Sequence, residues 1–454
     1  MKSFLFIILA FACFACSDYL DIKPYGKTIP TTAEEFEAII HTSLDDLDYG
    51  RDNMLLGDSY DILMLEAYTD NIDANIIGQS RSLPVYVGER LNTIMTDYTR
   101  YYSLIKDVNL VIDNVSKNDT LNKNILGTAH AIRGVAYLQL LRTFSPAYNP
   151  EKVVMGVPLV KSFDIEEQAL RSTFDETVDY IVSDFKQAID FNVSFSEFRF
   201  TCDVAKFYLA RTYFWSQQWS QLITLLEPLI DQYPLLEAAA YADMLNQINT
   251  LTGNTLLKSY IYSDGSTSVS YSGTDKMKIS RPVSASFINL FVEKERDIRY
   301  ALSFNDQRET TKILNARIRG AELHFMLAEA YLHSELQESA LNIINNIRDK
   351  RIEDNQHFTM DNLPEVPDNY IIKHDCIGNE LTPLEYLLFT ERQKEFFMEG
   401  DRWWELKRNG SPEFYVIWTD GLKYTTFNYM YTAPIYKQDV DLNYGLIQNE
   451  GYEE

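Results

Sequence analysis

"AELHFMLAEAYLHSELQESALNIINNIRDKR", residues 321–351, carries two apolar stripes in succession. Leu323, Leu327, Ala330 and Tyr331 fall at helical spacing, which puts them on one face. Ala340, Ile343, Ile344 and Ile347 form a second stripe of the same kind. Two helices of this length, with small residues where they would approach, predict a hairpin of the tetratricopeptide type. "VAKFYLARTYFWSQQWSQLITLLEPLIDQYP", residues 204–234, repeats the plan. Ala205, Tyr208, Leu209 and Tyr213 mark its first helix. Ser216-Gln217-Gln218 breaks it, Trp219 opens the second helix, and Pro234 stops the pair. Spacing between the two hairpins is irregular, so they are not units of a regular array.

Helical stripes extend outward from these pairs. Tyr101, Leu104, Ile105, Val108, Val111, Ile112 and Val115 make one. Ile132, Val135, Ala136 and Leu140 make another, and Val178, Ile181, Val182, Phe185 and Ile189 a third. Periodicity fades over 235–320, where 258–276 has the Ser, Tyr, Gly and Asp content of loops. A second polar insert runs from Glu353 to Leu381. Thr382-Pro383-Leu384-Glu385 then supplies an N-cap, a proline at the first helical position and a capping-box acid. One helix is expected from there to Asn409-Gly410, and an extended tail over 411–454.

The chain of 454 residues has a formal net charge of −25. That excess of acid disfavours nucleic acid, whose phosphates need a basic surface. Phe4 to Ala12 is apolar but too short for a bilayer-spanning helix, which takes about 20 residues. Behind Met1-Lys2 and ahead of Ala15-Cys16 it reads as the core of a lipoprotein signal peptide. Cleavage before Cys16 would leave that thiol to carry a lipid. A rival box ends at Cys13, and an ordinary signal peptide is the bland alternative. Bacterial lipoproteins carry more than one acyl chain, as stable anchoring requires. Of the four cysteines, Cys202 and Cys376 then remain, too few for a disulfide framework or a zinc cluster.

Catalytic patterns are sparse. Glu391, Glu395 and Glu399 recur every four residues on the expected helix, interleaved with Arg392, Lys394 and Arg402. Paired acids cleave glycosidic bonds when set across a cleft; on one face they read as ion-pair partners. The six histidines show no metal-protease spacing, and His374-Asp375-Cys376 is a weak metal cluster in a polar loop. Gly-rich phosphate cradles and a nucleophile elbow are absent. No catalytic residue, metal ligand or cofactor is assigned.

Several stretches, in order, resemble the SusD/RagB family of outer-membrane nutrient-binding lipoproteins. They are "CSDYLDIKPYGKTIPTT" at the mature start, "GTAHAIRGVAYLQLLRTF" followed by "GVPLV", "ISRPVSASFINLFVEKERDIRY", the 321–351 pair, "ERQKEFFMEGDRWWELKRNG", and "APIYKQDVDLNYGLIQNEGY" at the end. The family's usual Tyr-Gly after the first of its helices is replaced by Phe144-Ser145-Pro146. The resemblance implies a mainly α fold. A tetratricopeptide-like helix-pair scaffold would carry an irregular, loop-rich ligand-binding region packed on it. Residues 1–15 would be the signal peptide, 16–32 a lipidated leader, and 33–454 one α-rich domain. Helix pairs would fall within about 90–234 and 321–410, with the loop-rich insert at about 235–320.

The resemblance further implies a cell-surface lipoprotein, addressed by acids such as Asp18. It would act as the lid of a SusC-like TonB-dependent transporter and capture oligosaccharides or peptides. A periplasmic scaffold that binds only protein is the alternative from the helical hairpins alone. The family's ligand site lies between an early segment, here 68–86, and the central loops, here 258–281. Sugars need flat aromatic faces and groups that bridge hydroxyls. Trp215, Trp219, Trp403 and Trp404 lie in scaffold motifs and only Trp418 is free of them, so the platform must be mostly tyrosine. Asp73, Asn75, Arg81, Tyr86, Tyr262 and Tyr271 are the resulting site candidates.

Overall fold

The computed structural model describes residues 30–49, 54–73, 98–163, 170–248, 250–260, 271–417 and 423–452. Helices dominate them. In chain order they are α1 (Ala33–Tyr49), α2 (Ser59–Ala67), α3 (Tyr98–Asn114), α4 (Thr120–Phe144), α5 (Phe174–Phe191), α6 (Cys202–Trp215), α7 (Trp219–Ile230) and α8 (Ala238–Asn246). Then follow α9 (Tyr271–Met277), α10 (Ala285–Ile288), α11 (Ile298–Ser303), α12 (Gly320–Leu332), α13 (Gln337–Asp349), α14 (Pro383–Glu395), α15 (Asp401–Arg408) and α16 (Lys437–Leu442). Three antiparallel strand pairs accompany them. These are β1 (Met155–Pro158) with β2 (Arg171–Thr173), β3 (Thr255–Lys258) with β4 (Arg317–Arg319), and β5 (Phe414–Ile417) with β6 (Lys423–Thr426).

Both expected hairpins are present, as α6/α7 and α12/α13. Each buries its sequence stripe: Leu323, Leu327 and Ala330 face one core, Ile344 and Ile347 a second. The first core gathers α1 and α3 to α7; the second gathers α2 and the helices from α10 to α15. Leu56, Ile343 and Trp404 touch both. α4 is buried nearly all round, and α5 lies against it so closely that a Cβ at Gly134 would meet the Phe185 ring at 2.9 Å. Arg133 clamps the same pair: its Nε and Nη2 donate to Asp184 at 2.9 and 2.7 Å, and Nη1 donates to Asn109 of α3 at 2.7 Å.

The capping box at Thr382 forms as read. Thr382 N–H donates to Glu385 at 2.8 Å and Glu385 N–H to the Thr382 hydroxyl at 3.3 Å. The expected single helix to residue 410 does not. α14 stops at Glu395, and a turn through Phe396–Gly400 reaches α15. Met398 and Gly400 sit at φ +57° and +75°, the left-handed region that ends a helix. The Gly400 N–H donates instead to the buried Glu66 of α2 at 3.2 Å. Asn409-Gly410 does close α15, with Gly410 at φ +84°.

The weakly periodic 235–320 stretch holds short helices and β3, not loop alone. The tail is extended only in part: β5/β6 is followed by a 3-10 turn and α16. The insert from Glu353 to Leu381 has no helix.

Candidate ligand edge and its supports

The early segment meets the last residue of the central one, Arg281, and the three residues just beyond it. Ile72 and Val283 form an antiparallel bridge, Asp73 N–H donates to Pro282 O at 2.8 Å, and Ser284 N–H donates to Asn71 O at 2.9 Å. Arg281, 2% exposed, staples the joint by donating to the carbonyls of Asp73, Ala67 and Ile72 at 2.7, 3.0 and 3.3 Å. Burial pushes its guanidinium down to about 10, so it stays charged at neutral pH.

Three polar residues before position 74 then part ways. Asp70 accepts a two-pronged bond from Arg402, 2.8 Å on each arm. Asn71 is buried between Glu66 and Gln393, at 2.7 and 2.8 Å. Burial drives the Glu66 carboxyl up to about 7 despite the bonds from Asn71 and Gly400. Asp73 alone keeps a surface position, where it pairs with Arg308 at 2.8 Å; both side chains are about a third exposed. An exposed pair of this kind adds at most about 1 kcal/mol. It does set an acceptor and a fork of donors side by side on a pinned edge. The sequence reading missed Arg308, which sits 235 positions from its partner.

Of the other candidates, Tyr271 opens α9, which Lys278 ties down by pairing with Asp275 and donating to Lys312 O. Cys16, Asn75, Arg81, Tyr86 and Tyr262 lie outside the described residues.

The three spaced glutamates are ion-pair anions, and most of their partners come from elsewhere in the chain. Glu391 pairs with Lys394 but also with Arg299 and Arg348. Glu395 takes Arg319 and Arg351, with Arg299 at 3.8 Å. Glu399 lies beyond the helix yet joins through Arg319 and Lys312. Burial would raise all three carboxyls; the surrounding cations hold them well below the usual range instead. Glu391 and Glu395 are at most 1% exposed, so no substrate reaches them. Arg392 pairs with Asp401, and Arg402 with Asp70 and the neighbouring acid Glu405.

His374 is not the histidine beside Cys376. The Cys376 thiol lies 3.4 Å from His333 Nε2, whose ring stacks on Trp219 with centroids 4.6 Å apart. Glu329, Asp375 and Glu385 are close by, and each is already bonded: Glu329 to Arg408, Asp375 to the N–H groups of Ile377 and Asn379, and Glu385 to Thr382. Cys202 and Cys376 are both free thiols.

Residues 18–214 match the family described as starch-binding and associating with the outer membrane; residues 249–452 match the SusD family. The chain belongs to the SusD/RagB family. A SusD-like protein, P25, of Formosa agariphila is 23% identical to it over 269 residues. That stretch is 54% of this SusD/RagB chain and 48% of the relative, so the chain spans about half that relative's length.

Solved structures give the fold. A SusD superfamily protein of Bacteroides thetaiotaomicron matches at TM-score 0.68 and 18% identity, over 92% of this chain and 99% of its own. A SusD-like carbohydrate binding protein of Bacteroides vulgatus matches at 0.66 and 17%, over 92% and 98%. Surface glycan-binding protein A of Bacteroides fluxus matches at 0.63 and 16%, over 93% and 100%. This SusD/RagB chain therefore has the superfamily's mainly α, tetratricopeptide-like fold. None of its described helices is long and apolar enough to cross a membrane.

Proposed function

We propose that this protein is a surface lipoprotein of the outer membrane, anchored through Cys16, that binds oligosaccharides and delivers them to a SusC-like TonB-dependent transporter as its lid. It binds and does not catalyse. The family match over both halves of the chain supports the role, and the glycan-binding names of two structural relatives support the ligand class. The observation that carries it is the pinned edge. Arg281 holds the early and central segments together, with Asp73 and Arg308 at the surface to bridge sugar hydroxyls.

Asp73, Asn75, Arg81, Tyr86, Tyr262 and Tyr271 are the proposed contacts. Each lost aromatic stack should weaken binding by about 1 kcal/mol, several-fold in Kd. Titration calorimetry against a panel of glycans and peptides checks this. A peptide-only response moves the ligand class, and an unchanged Kd with alanine at all six places the site elsewhere.

The anchor has its own check. Cys16→Ala should release the protein from the membrane fraction, and the wild type should label on intact cells. Membrane retention of Cys16→Ala, with loss in Cys13→Ala, would assign the lipid to Cys13. A lid needs a contact of about 2,000 Å² or more, enough for a barrel protein to co-purify in mild detergent. A homo-oligomer recovered with no barrel would contradict the lid.

A further inference from the structure

A cavity of about 280 Å³ lies where α2, α4, α6, α14 and α15 converge, away from the Asp73 edge. Arg142 of α4 lines it and is 9% exposed. Its guanidinium carbon stands 4.3 Å from the Trp404 ring and 5.4 Å from the Trp215 ring. Among the described residues no carboxylate pairs with it, and its Nε, though buried, has no acceptor.

The nearby acids are already taken. The two acids nearest in influence, Glu322 and Asp401, are each already gripped on two prongs, by Arg211 at 2.9 and 2.8 Å and by Arg392 at 2.7 and 2.7 Å. That leaves Arg142 without an acid of its own among the described residues. An unpaired buried charge is costly, and native interiors pair theirs. Three residues of the lining carry further buried polar atoms without a partner among the described residues: Trp215 Nε1, Arg392 Nη1 and Glu405 Oε1.

We propose that this cavity binds a small hydroxy-carboxylate, the chemical class of a uronic acid, with its carboxylate on Arg142. A planar guanidinium matches a carboxylate fork. A carboxylate would give Arg142 the anion it lacks. Trp404, half-buried, offers an apolar surface to the ligand's carbon skeleton, and Tyr60, Gln139 and Thr143 of the lining carry polar groups for its hydroxyls. Tyr60, 41% exposed, stands at the cavity's rim and gives the way in. Nothing here depends on the glycan reading of the Asp73 edge.

The test is thermal unfolding and calorimetry of the full mature protein with sodium glucuronate, against glucose and sodium chloride at matched ionic strength. Glucuronate is expected to raise Tm with its concentration, because a ligand of the folded state stabilises by mass action; glucose and chloride are not. Arg142→Met should abolish that rise, weaken glucuronate at least tenfold, and melt no lower than wild type in carboxylate-free buffer. The last result follows because an apolar side chain of similar volume carries no buried charge. A wild type that shows no glucuronate-specific shift overturns the proposal, whether or not the variant folds. So does a shift that persists in Arg142→Met, which would put the carboxylate at another site.

Discussion

Glu395→Ala is expected to destabilise the protein by about 3–5 kcal/mol, the usual cost of stripping one partner from a buried ion pair. Glu395 is fully buried at the end of α14. Its Oε1 accepts from Arg319 at 2.7 Å and Arg351 at 3.0 Å, and its Oε2 from Arg351 at 2.9 Å. Arg319 would keep Glu399, but Arg351 would keep only carbonyls and the face of Tyr241 at 3.7 Å. Urea unfolding measures the loss, and a change below about 1 kcal/mol would show that the network does not hold the fold.

The same network sets an acid limit. Burial raises the Glu399 carboxyl, but Arg319 and Lys312 outweigh it and bring it from 4.5 to about 2. A folded value below the unfolded one means stability that is present above pH 4.5 and is lost as pH falls towards 2. Unfolding midpoints should therefore drop over that window.

Trp403→Ala should cost a similar amount, about 3–5 kcal/mol. The ring is fully buried in the second core, stacked on Tyr431 with centroids 4.4 Å apart and tilted against Tyr68 at 5.9 Å. It thereby ties α15 both to the segment leading into the Asp73 edge and to the tail. Trp403→Phe keeps an aromatic face and removes an indole N–H that has no acceptor, so it should cost much less than alanine. Equal losses for both variants, or lost ligand affinity at unchanged Tm, would contradict a packing role.

Helix identity and pairing were legible in the chain because they rest on near neighbours in sequence. The stripes at 323–331 and 340–347 need only a 3.6-residue repeat, and the Thr382 cap needs only the next three residues. The ordered motifs likewise announced the family. What stayed hidden depends on which distant groups dock. The spacing marked Glu395 as an ion-pair partner without naming its cations, and its arginines come from 44 and 76 positions away. Asp73 finds Arg308 and Asp70 finds Arg402 across 235 and 332 positions. The break at Phe396–Gly400 has the same origin. A local reading continues the helix, while the packed chain turns so that the Gly400 N–H meets Glu66 and Glu399 meets Arg319 and Lys312. Backbone periodicity is a short-range property, whereas the pairing of buried charges is decided only when the helices close on one another, because only then does water leave and each acid must find a cation.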